Sequence, residues 1–134
     1  MSVVVLILQM FNTQMVHDLV LGRVVANEAQ VHAAHGAFVD AASDYGEAYL
    51  LSGDATMILN QALCWQKAGA YTFAYASAKD YLRHDGMPPE EREQAEKLTV
   101  EMKLHIDIDD DTSPSHIRWS HADHDRRYPH GHKH

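Results

Sequence analysis

Apolar and polar positions alternate with helical spacing over most of this chain, and glycines punctuate the pattern. Gly36, Gly53, Gly69 and Gly86 stand 17, 16 and 17 residues apart. Each interval has room for one helix of about 13 residues and a short turn. Glycine suits such points because it readily takes the left-handed conformation that ends helices. A further segment opens Pro88-Pro89-Glu90-Glu91. Proline fits a first helical turn, and the two carboxylates complement the positive helix end. Its apolar positions Ala95, Leu98, Met102 and Ile106 step by three, four and four residues, which is one helix face. Glu93, Lys97 and Glu101 fall on the other face, which should be solvated. The pattern from about residue 22 to 106 therefore predicts an all-α array of helices joined by glycine turns.

The two ends differ from this middle. Residues 1–21 are apolar, with an unbroken run from Val3 to Leu8 that Gln9 and Asn12 then interrupt. The run alone is far too short to cross a bilayer as a helix, and no basic residue precedes it as in a signal peptide, so no transmembrane segment is expected. Its β-branched residues leave its secondary structure open. Residues 107–134 are acidic and then His-rich, a segment expected to be a flexible tail. Asp107-Ile108-Asp109-Asp110-Asp111 begins like a calcium loop, but the sixth and twelfth positions hold Thr112 and Arg118 where glycine and glutamate are needed. An acidic linker is the expectation there.

A period of 33 residues runs through the middle, from Gly36 to Gly69 and from Gly53 to Gly86, as in helix-turn-helix repeats. His35-Gly36-Ala37-Phe38 is followed by Ala41, Tyr45 and Ala48. Ala68-Gly69-Ala70-Tyr71 is followed by Ala74, Ala78 and Tyr81. An aromatic follows each glycine by two residues, and a small alanine comes three later, where antiparallel helices must approach closely. These residues resemble the tetratricopeptide-repeat (TPR) family. Counted from Ala55, one unit matches the family pattern at Ala62, Trp65, Gly69 and Ala74, and departs at Ala78 and Tyr81. Counted from Gly22, the other matches at Ala29, Gly36, Ala41, Tyr45 and Ala48, with His32 in place of the usual aromatic.

The resemblance implies antiparallel helix-turn-helix repeats wound into an α-α superhelix, here about two repeats plus a C-terminal capping helix. It further implies a protein-interaction module, an adaptor, scaffold or chaperone, holding a partner peptide or helix on the concave face of the first helices. Asn27 and Asn60 occupy the same position one repeat apart, Arg23 lies one turn before Asn27, and Lys67 lies seven residues after Asn60. Amides can bond a peptide backbone and cations can hold a carboxylate, so these four are the candidate partner-binding residues. Because repeats bury their apolar faces only against neighbours, the apolar N-terminus is expected either to fold back as an extra helix or to pair with a second copy, giving a homo-oligomer.

Charge and composition narrow the alternatives. Eleven Lys and Arg against 19 Asp and Glu leave a formal charge of −8, which disfavours binding to nucleic acid. The single cysteine, Cys64, permits no internal disulfide. It reads as a small packing residue, and the composition suits a reducing compartment, the cytoplasm. No glycine-rich phosphate loop, G-x-S-x-G turn or H-E-x-x-H motif occurs, so no enzymatic activity and no cofactor are expected. His121, His124, His130, His132 and His134 have spacings able to chelate zinc, nickel or copper. A metal-binding protein working through this tail is one alternative function, and a self-assembling structural subunit is another.

Overall fold

In a computed structural model, residues 2–112 are described, and they form five helices without strands. These are α1 (Val3–Ala34), α2 (Phe38–Ser52), α3 (Thr56–Lys67), α4 (Tyr71–Leu82) and α5 (Pro89–Thr112). Each helix packs against the next in the chain. The turns follow from the glycines: Gly36 and Gly69 both sit at φ 78°, where a side chain would be strained.

The backbone itself repeats. The Gly36 amide donates to the Ala33 carbonyl at 3.0 Å and the Ala37 amide to the His32 carbonyl at 2.8 Å. Thirty-three residues on, Gly69 donates to Gln66 at 3.0 Å and Ala70 to Trp65 at 2.9 Å. Ala37 (φ −85°, ψ 67°) and Ala70 (φ −90°, ψ 71°) then start α2 and α4 in nearly the same conformation.

The core repeats with the turns. Ala29, Ala62 and Ala95 succeed one another at intervals of 33 on α1, α3 and α5, and each is 0% exposed. Ala41 and Ala74, also 0% exposed, hold the matching place on α2 and α4. Small side chains at these crossings let the helices close on one another, and larger groups fill what remains. Tyr45 and Cys64 join Ala29, Ala41 and Ala42 in one cluster. Ile58, Leu59 and Tyr81 join Ala55 and Ala95 in a second. Leu98 and Met102 pack on Ala62, Ala74 and Ala78 in a third. As expected, Cys64 is buried, while Glu93 and Lys97 form an exposed ion pair at 3.2 Å.

Both ends of the array depart from the sequence expectation. No break falls at residue 21: α1 is one helix of 32 residues that carries the apolar N-terminus straight into the packed array. Only its second half is held. Gly22, Val25 and Ala29 are its buried residues, and α2 runs out beside Gly22, where an added Cβ would meet Leu51 and Ser52 at 3.3 Å. The preceding turns do not fold back, and every large apolar side chain from Val3 to Leu21 is exposed. The run Val3–Leu8 is thus the tip of a helix long and apolar enough to cross a bilayer, which changes the premise on which no transmembrane segment was expected. At the other end α5 continues past Ile106 to Thr112, so the first acidic residues extend a helix. Lys103 and Asp107 pair along it at 3.2 Å.

Candidate functional site

The four candidate binding residues stand on the two helices that begin the repeats, α1 and α3. Arg23 and Asn27 are exposed on α1, Asn60 is half-buried on α3, and Lys67 is exposed at the end of α3. The side chains of Arg23, Asn27 and Asn60 have no hydrogen-bond or ion-pair partner among the described residues, which leaves them available to a ligand. Lys67 is partly engaged, with its ammonium 5.6 Å from the centre of the Phe38 ring, a cation–π distance.

The geometry divides this set. Arg23 borders a cleft of ≈ 350 Å³ between α1 and α3, with Leu19, Gly22, Ala26, Ser52, Asp54 and Met57. Asn27 borders another of ≈ 360 Å³ with Val24, Glu28, Val31 and His32, formed on α1 itself. Neither cleft includes Asn60 or Lys67. Arg23 and Asn27 are four residues apart, so they share one side of α1 broadly, yet the neighbouring α3 borders only the first cleft. Asp54 and Met57, which were not among the candidate binding residues, are the residues that the chain's return places beside Arg23. One visible signal was Gly53, which ends α2 at φ 71° and turns the chain back there.

Polar side chains tie the helices of the array to one another. His32 donates from Nδ1 to the Asp44 carboxylate at 2.6 Å, linking α1 and α2. Asp80's carbonyl can only accept, so the neutral His84 ring carries its proton on Nδ1 and accepts from the Tyr49 hydroxyl at Nε2, 3.1 Å away. Glu91 has the most central place: one carboxylate oxygen accepts from the Thr56 hydroxyl of α3 at 2.9 Å and from the Tyr81 hydroxyl of α4 at 3.0 Å. Arg92 donates to the His84 carbonyl at 3.0 Å. These contacts clasp α5 to the second repeat.

Burial raises the pKa of three groups, Tyr45, Cys64 and Tyr81. Burial pushes the Cys64 thiol up, with the Lys67 charge acting in the opposite direction, which suits a packing residue rather than a nucleophile. Tyr81 is pushed up to about 12, by burial first and then by its hydrogen bond to Glu91. A phenol whose folded pKa exceeds its unfolded value stabilises the fold below the unfolded pKa, near 10. That contribution is lost as pH rises through the folded one. Thermal melts should therefore show stability falling between about pH 10 and 12, and Tyr81→Phe should remove most of that pH dependence. An equal alkaline decline in both proteins would show that the Tyr81–Glu91 contact is not its source.

No group of three or more His, Cys, Asp or Glu able to hold a metal ion occurs among the described residues. His121, His124, His130, His132 and His134 lie outside those residues. No family model, curated protein or solved structure compared with the chain matches it.

Proposed function

We propose that the chain is a TPR-like helical-repeat module that holds a peptide or helix of a protein partner, acting as an adaptor, scaffold or chaperone. The observation that supports this best is the 33-residue recurrence of turn hydrogen bonds and fully buried alanines. It makes α1 and α3 equivalent helices, and it makes Asn27 and Asn60 equivalent residues with unengaged amides. An amide offers both a donor and an acceptor to a peptide backbone. Arg23, beside the α1–α3 cleft, and Lys67, at the far end of α3, supply cations for a carboxylate on the same ligand.

Capture from a peptide library by the intact chain, beside an Asn27→Ala/Asn60→Ala variant of unchanged helicity, tests the proposal. The intact protein should select one class of peptide, and the variant should bind it at least about tenfold more weakly, as expected for two lost hydrogen bonds. Equal selection by both proteins, or none by either, removes the amides from the binding site.

A further inference from the structure

The peptide-binding proposal does not use the first half of α1. Its composition and exposure point to a partner independently of that reading. The six residues Val3 to Leu8 are all Val, Leu or Ile. At 3.6 residues per turn they pass completely round the helix, and all are exposed, between 41% and 70%. A second copy of the chain would cover one stripe, Val4, Leu8, Phe11 and Met15, which continues the face that Gly22, Val25 and Ala29 bury further on. Val3, Val5 and Leu6 lie outside that stripe and would stay in water. A helix apolar on every side needs surroundings that are apolar on every side, and bilayer hydrocarbon provides them.

Length, charge and hydrogen bonding agree with that partner. Val3 to Leu21 is 19 residues, about 28 Å of helix, close to the ~30 Å of a bilayer's hydrocarbon core. An 18-residue window of α1 has a mean hydropathy of 1.4, and none of it is buried in the array. Asp18, near the end of this segment, is the one Asp, Glu, Lys or Arg between Val3 and Leu21. Several polar side chains are bonded within the helix: the Thr13 hydroxyl donates to the Gln9 carbonyl at 2.9 Å, and the Gln14 amide donates to the Asp18 carboxylate at 3.0 Å. Such pairing lowers the penalty of leaving water. The net charge of −8 gives no attraction to anionic headgroups, so the binding has to be hydrophobic. We propose that Val3–Leu21 inserts into the hydrocarbon of a lipid bilayer and holds the helical array at its surface on an uninterrupted helix.

The full chain is mixed with phosphatidylcholine vesicles and floated on a density gradient, and a Phe11→Trp variant is examined with brominated acyl chains. The protein should float, at low salt and at 1 M salt alike, because the attraction is not electrostatic. The emission of the indole introduced by Phe11→Trp, taken as the difference from the parent protein, should be quenched by the bromine. Leu6→Asp/Ile7→Asp should lower the floated fraction more than about tenfold, with the melting of the array unchanged because both positions are exposed. The proposal is overturned if the protein stays in the soluble fraction, if salt releases it, or if the double variant floats equally well. Absence of bromine quenching together with a dimer by light scattering would assign the surface to a second copy of the chain. None of these readouts involves Asn27 or Asn60, so failure here leaves the peptide-binding proposal standing, and the reverse holds too.

Discussion

Tyr81→Ala is expected to lower the stability of the array by about 3–5 kcal/mol, the range for removing a fully buried aromatic side chain. Tyr81 is 0% exposed and one of the two largest fully buried side chains. Its ring lies where α3, α4 and α5 converge, among Ala55, Ile58, Leu59 and Ala95. The truncation leaves a cavity that the surrounding side chains on three helices cannot easily close, and it removes one of the two donors to Glu91. For a domain of about this size each kcal/mol moves the melting point by several degrees, so the melt should shift down by more than about 10 °C. Tyr81→Phe keeps the ring and should cost only about 1–2 kcal/mol, the size of one buried hydrogen bond. If Tyr81→Ala melted within a few degrees of the parent, the convergence of the three helices on this ring would be wrong.

Ala74→Leu should destabilise by about 1–3 kcal/mol or more through the opposite fault, overpacking. Ala74 is 0% exposed in the cluster that joins α3, α4 and α5, and three added carbons have no space there unless α4 moves off its neighbours. Ala76 lies two residues on and is exposed. Ala76→Leu should therefore change stability by no more than about 0.5 kcal/mol. Both substitutions have the same composition and the same helix propensity, so their difference in thermal unfolding reads out packing alone. Similar melting of the two variants would mean that α4 does not approach α3 through Ala74.

Much of this architecture is readable in the linear pattern because it depends on local chemistry. Gly36, Gly53, Gly69 and Gly86 mark the turns since each needs a positive φ, a requirement of one residue's own backbone. The 33-residue period and the small residues Ala29, Ala41, Ala62 and Ala74 could be recognised in the same way, because close helix crossings exclude large side chains. The buried face of α5 followed from its three- and four-residue steps. The reading of α5 stopped at Ile106 only because Asp107 ends the apolar stripe; a helix exposed on that side can continue without one.

The candidate binding residues were less legible. Equivalence of Asn27 and Asn60 is a matter of sequence spacing, but the clefts are made by the neighbours that pack beside them. Arg23 borders a cleft with Asp54 and Met57 because the turn from α2 and the first residues of α3 come beside α1, whereas Asn27 borders a separate cleft. The clasp of Glu91 with Thr56 and Tyr81 spans 35 and 10 residues. Glu91 by itself reads as one more carboxylate in a first helical turn.

The N-terminus separates the two kinds of information most clearly. That Val3–Leu8 is apolar is written in the chain. That it is left bare depends on length: α1 has 32 residues and α2 only 15, so α2 ends beside Gly22, and its last residues Leu51 and Ser52 border a cleft with Phe11, Met15 and Leu19 but reach no further toward Val3. Conformation at a turn is settled by the residue that occupies it. Burial is settled by which other surface arrives, and that is a property of the whole packed array.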